Sequence, residues 1–152
     1  MLTKLPALSV APEDEATLYS LATEFLSAAN ILLNTPPTEL GHSVVTYYLA
    51  GHSAELFLKS YLFKKGITAD ELAKQYGHSL KLLIKKSRGL GLPEQCSTEN
   101  IEKLGNIYTK KRTEYRQNKV TYFPPLDLLV AETGLLKEFV FDHIFEFISE
   151  NK

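Results

Sequence analysis

The chain has 152 residues and a formal net charge of −1, is 44% hydrophobic and 23% charged, and contains a single cysteine. This is the balance of a soluble globular protein, at a length that suits one domain with a sizeable core. Cys96 alone excludes an intramolecular disulfide and any cysteine-spaced metal cluster, and it fits a reducing, cytoplasmic setting.

Residues 1–11 contain Pro6 and show no period, so they are expected to form an irregular arm ahead of one helical domain spanning 12–152. Lys4, Pro6, Pro12 and the acids that follow do not make a signal peptide. No apolar run approaches the roughly 20 residues that span a bilayer, so no membrane partner is expected. Pro12 suits a first helical turn, with Glu13, Asp14 and Glu15 where the helix dipole favours negative charge. Leu18, Leu21, Ala22, Phe25, Ala28, Ala29 and Leu32 then recur at helical spacing to about Asn34, before Pro36 and Pro37 stop the helix.

The next stretch, Ser43 to Lys65, is apolar on almost every side, which predicts a helix in the middle of a bundle. It starts near Thr38 and closes at Gly66, with the internal Gly51 suiting a close crossing. At about 100° per residue, Tyr48, His52, Glu55 and Lys59 share one narrow line along it. Glu55 and Lys59 form an i,i+4 pair. His52 offers an acid/base group, while the plainer reading makes His52 and Glu55 satisfied polar groups between packed helices.

Thr68 and Glu71 have capping-box spacing, which predicts a short helix over ADELAKQ that Gly77 breaks. His78 opens a further helix, with Leu80, Leu83, Ile84 and Leu90 inward and lysines outward; it binds an anion or simply closes the turn. Ser97 or Thr98 is the expected cap of the following helix, through Ile101, Leu104 and Ile107. Pro124 and Pro125 precede the last helix, Leu126 to about Glu150, whose surplus phenylalanines suit a dimer or partner contact. The pattern is all-α, an antiparallel bundle of five to six helices.

Charge is unevenly spread. Residues 80–119 hold ten basic and four acidic side chains, so that segment carries +6 and the remainder −7. An anionic ligand or a complementary subunit is the implied partner. Within it, Tyr108, Arg112, Tyr115, Lys119 and Tyr122 recur at helical intervals, flanked by Lys111 and Arg116. Rings that stack on bases and cations that neutralise phosphates are what single-stranded RNA needs. The same stripe also fits tyrosines packed at a helix edge under the stems of basic residues. His42 and His143 lack ligand-spaced partners, and no metal, phosphate-loop, dinucleotide or nucleophile-elbow motif is present, so no cofactor or metal is expected.

YYLAGHSAELFLKSYLFKKG followed by GHSLKLLIKKSRGLG resembles the HEPN (higher eukaryotes and prokaryotes nucleotide-binding) domain. The pattern rests on Ala50, His52, Glu55 and Lys59, on Gly77 to Leu80, and on the basic-aromatic segment Arg112 to Phe123. The resemblance implies an antiparallel helical bundle, a homodimer and association with RNA or nucleotides. Many members resemble ribonucleases of toxin and defence systems with an R-x4-6-H motif. This chain departs there, since GLGLPE follows Arg88, TEYRQN follows Arg112 and QNKVTY follows Arg116. The expectation is a non-catalytic module binding RNA, a nucleotide or a protein partner through Lys111, Arg112, Tyr115, Arg116, Lys119 and Tyr122. Two alternatives stand beside it. One is a divergent metal-independent ribonuclease or nucleotide-handling enzyme using His52 or His78 with Arg116. The other is a structural or regulatory subunit, such as one partner of a toxin–antitoxin pair.

Overall fold

The computed structural model describes residues 14–35, 44–108 and 122–145. Their regular elements are helical: α1 (Glu15–Asn34), α2 (Val44–Lys64), α3 (Ala69–Glu71) running into one π-helical turn (Leu72–Tyr76), α4 (Leu80–Gly89), α5 (Glu99–Tyr108) and α6 (Leu126–Ile144). The all-α bundle predicted from periodicity is therefore the architecture. The arm 1–11, Pro12, His42, the predicted start of α2 at Thr38 and the predicted end of α6 lie outside the described residues.

Asp14 caps α1. Its backbone is extended and its carboxylate accepts the Thr17 N–H at 2.7 Å, a contact that holds the carboxyl below its ordinary pKa. Leu18, Ala22, Leu26 and Ala29 make the buried stripe, packed along α2 and α6. Among the described residues α1 is the one helix whose length and mean hydropathy of 1.2 would allow it to cross a membrane. That corrects the expectation that no segment reaches this threshold. The exposed Leu21 and Ile31 raise its hydropathy, while its burial is one-sided, as in an amphipathic bundle helix.

The centre of the fold is α2, which packs against α1, α4, α5 and α6. Every residue from Ser53 to Leu58 is buried, as an all-round apolar helix requires. Two serine hydroxyls fix its register on α1: Ser53 donates to Ala22 O at 2.7 Å and Ser60 to Glu15 O at 2.6 Å. The pairing shows the two helices antiparallel. Tyr47 lies against Phe123 and Tyr61 against Phe139, so α6 runs parallel to α2. Gly66, at φ 99°, ends α2 as predicted, with Ile67 N–H on Leu62 O and Gly66 N–H on Phe63 O.

Beyond α2, Leu80 and Leu83 of α4 and Ile101 and Leu104 of α5 complete the core. Fully burying each such side chain contributes about 1.5–3 kcal/mol. Gly91, at φ 119°, brings the chain against α2, where the Tyr61 hydroxyl donates to Leu90 O at 3.0 Å. A Cβ at Gly91 would lie 3.1 Å from that hydroxyl. Leu90 is half-buried rather than inward, because α4 has already ended at Gly89.

Candidate functional site

The site is built by the connection between α2 and α4. Thr68 caps α3 by accepting the Glu71 N–H at 3.1 Å, as its spacing predicts. The helix then widens into the π turn, closed by Gly77 N–H on Leu72 O, with Leu72 buried as its anchor. Gly77 turns the chain at φ 52°, and Ser79 caps α4 by accepting the Leu82 N–H at 3.3 Å. His78, held between these two stops, is presented sideways to α2.

There it meets the polar line. His78 Nδ1 lies 3.0 Å from Glu55 Oε1, and Lys59 Nζ lies 3.3 Å from Glu55 Oε2. His52 Nδ1 is 3.7 Å from the same Oε2, an ion-pair distance and longer than a hydrogen bond. The Glu55 side chain is 1% exposed, against 14% for Lys59 and 69% for His78. Phe25 meets the His52 ring edge-on at 4.5 Å, and Tyr48 lies nearly parallel to it at 6.0 Å. Burial pushes the His52 imidazole below its ordinary pKa of 6.5; Glu55 pulls it up, and His78 and Lys59 push it down. Tyr48, His52, Glu55 and Lys59 are thus one assembly, and His78 belongs to it.

Chemically, the buried carboxylate is an orienter. A substrate does not reach it, but it fixes the imidazole of His78 with Nδ1–H inward and Nε2 on the exposed side. Protonated, that ring offers Nε2–H to an anion; neutral, it offers a lone pair. Lys59 adds an ammonium whose N–H groups exceed what one carboxylate oxygen uses. Comparison with family models, with curated proteins and with solved structures finds no match to this chain.

Of the basic-aromatic stripe, Lys111, Arg112, Tyr115, Arg116 and Lys119 lie outside the described residues. Tyr122 is described and is 86% exposed. It stands in an irregular segment, not on a continuation of α5, which is described to Tyr108. Phe123 packs on Tyr47 at 4.7 Å, and the Tyr47 hydroxyl donates to Pro124 O at 2.8 Å. Phe123 and Pro124 are therefore anchored on α2 beside Tyr48.

Two functional-looking charges turn out to hold the frame. Arg88 donates to Pro93 O, to Cys96 O at 2.9 Å and to Thr98 Oγ1 at 2.9 Å, so it closes the α4–α5 loop. Thr98 stands at the predicted cap position of α5, its backbone O accepting the Glu102 N–H at 2.8 Å, and Ser97 Oγ accepts the Glu99 N–H at 3.5 Å. Glu132 of α6 takes the next two donors, accepting Asn100 N–H at 2.9 Å and Ile101 N–H at 3.1 Å while 5% exposed. Only the helix dipole of α5 hints at such a partner in the sequence, and it does not say which acid. Cys96 is buried, and burial pushes its thiol pKa up, the setting of an unreactive cysteine. Among the described residues no group of three or more His, Cys, Asp or Glu side chains is arranged to hold a metal ion. A cleft of about 460 Å³ lined by Tyr19, Lys137, Glu138, Phe141 and Asp142 includes none of the cluster residues.

Proposed function

We propose that the chain is a HEPN-like homodimeric module of the cytoplasm that binds RNA or a nucleotide without turning it over, in a defence or toxin–antitoxin setting. The observation that carries the reading is the buried Glu55 carboxylate, which holds the exposed His78 on one oxygen and the largely buried Lys59 on the other. Oriented N–H donors of that kind recognise phosphate. Support also comes from the +6 charge of residues 80–119; Phe123 and Pro124, a few residues beyond, are anchored to Tyr47, one residue from Tyr48. The non-catalytic part rests on the absence of a histidine after Arg88, Arg112 or Arg116 at the spacing the ribonucleases use.

A second reading, metal-independent RNA cleavage, is favoured by one contact. An imidazole with Nδ1 on a buried carboxylate has the pose of a general base. Titration of labelled single-stranded RNA by fluorescence anisotropy at low and near-physiological salt, with each endpoint run on a denaturing gel, separates the two. Salt-sensitive binding of intact RNA supports the module. Cleaved RNA supports the enzyme, and neither outcome sends the search to a protein partner on α6.

A further inference from the structure

We infer that His78 is a nucleophilic histidine that accepts a phosphoryl group at Nε2, with Glu55 as its positioning residue. Three observations converge on that ring. Its side chain is 69% exposed, so a donor can reach it. Its Nδ1 lies 3.0 Å from a carboxylate that is itself 1% exposed, which keeps the proton on Nδ1 and the lone pair on Nε2. The ring also directly precedes the Ser79 cap of α4, a helix of ten residues whose positive end favours added negative charge. Lys59 Nζ occupies the other oxygen of the same carboxylate at 3.3 Å, which leaves Oε1 to His78.

The donor is a phosphoramidate, a class that includes phosphohistidine on another protein. The Nε2 lone pair attacks phosphorus, an N–P bond forms, and the donor's own P–N bond breaks. The zwitterionic donor releases its amine as the neutral base. His78 keeps its Nδ1 proton, and the positive charge that develops on the ring is stabilised by the buried Glu55 carboxylate. Nothing is oxidised or reduced. The other described histidines lack this arrangement: His52 is enclosed by Phe25 and Tyr48, and His143 Nδ1 faces Phe139 O at 2.9 Å.

The test is incubation of the full-length chain with potassium phosphoramidate at neutral pH, folded and in urea. The acid-labile phosphoryl mass is mapped by peptide and confirmed by ³¹P NMR. His78 is expected to label on the order of tenfold faster in the folded chain than in the unfolded one. His78→Ala removes that fast phase. Glu55→Gln, where its helical circular dichroism is retained, slows labelling toward the unfolded rate and shifts its pH profile. Equal folded and unfolded rates at His78, or a fast label on another histidine, overturn the proposal. A folded Glu55→Gln chain labelling at the wild-type rate overturns the positioning role. If that variant does not fold, the ratio measured at His78 in the unaltered chain decides alone. RNA affinity is not part of this readout, so either result stands whether or not RNA binds.

Discussion

His78 and Glu55 are 23 residues apart in sequence, yet His78 Nδ1 lies 3.0 Å from Glu55 Oε1. The contact ties the start of α4 to the middle of α2. It makes one buried acid answerable for the placement of two donors, the exposed His78 and the largely buried Lys59.

Removing that acid should therefore cost stability as well as function. Glu55→Ala leaves the half-buried Lys59 ammonium and the enclosed His52 without their carboxylate. Loss of hydrogen bonds to a charged group predicts a destabilisation of about 1.5–3 kcal/mol, read as a lower urea midpoint with an unchanged slope. Partial exposure of Lys59 and His78 keeps the effect below that of a wholly enclosed pair.

Glu132→Ala should loosen α5 more than any other helix. The substitution orphans the Asn100 and Ile101 N–H groups, which a buried carboxylate from α6 now satisfies. An expected loss of about 2–3 kcal/mol combines a lost cap with charge-assisted bonds. Amide hydrogen exchange should rise first along Glu99–Tyr108.

His52 gives the fold a pH dependence of definite sign. Its folded pKa is depressed by burial, so between that value and the unfolded 6.5 the unfolded chain binds more protons. The contribution is complete above pH 6.5 and is lost as pH falls through the folded value. Urea midpoints measured downward from pH 7.5 should drop in the unaltered chain. His52→Phe, which titrates nothing, should flatten that drop. The groups facing His52 in this window, Glu55, Lys59 and His78, are present in both chains.

Ser87 carries the opposite lesson. Its hydroxyl is buried on α4 and has no hydrogen-bond partner among the described residues, so desolvation is uncompensated there. Ser87→Ala removes the hydroxyl and improves helix propensity, and should be neutral or stabilising by up to about 1 kcal/mol in thermal unfolding.

Much of the architecture was legible because its signals are local. The all-round apolar run of α2, the Gly66 stop and the Thr68 cap depend on neighbours within a few residues, and each is realised. The line Tyr48–His52–Glu55–Lys59 follows from helical period alone. What escaped was tertiary. The approach of His78 to Glu55 depends on a π turn and on Gly77 at φ 52°, neither of which periodicity encodes. The further partner of the α5 N-terminus escaped for the same reason: Glu132 is 32 residues from Asn100. Thr98 holds the cap position by its backbone, while its hydroxyl is engaged by Arg88 and Glu102. Counting Arg88 in the basic segment overstated the charge offered to a ligand, since its guanidinium is turned onto loop carbonyls.

The central claim is that the Glu55-oriented pair, His78 and Lys59, contacts phosphate. The most direct measurement compares labelled single-stranded RNA binding by the unaltered chain and by His78→Ala at low salt, followed by anisotropy. Loss of one charge-assisted contact predicts binding weaker by on the order of tenfold in the variant. Equal affinity of the two chains for RNA, or no binding by either, would contradict it.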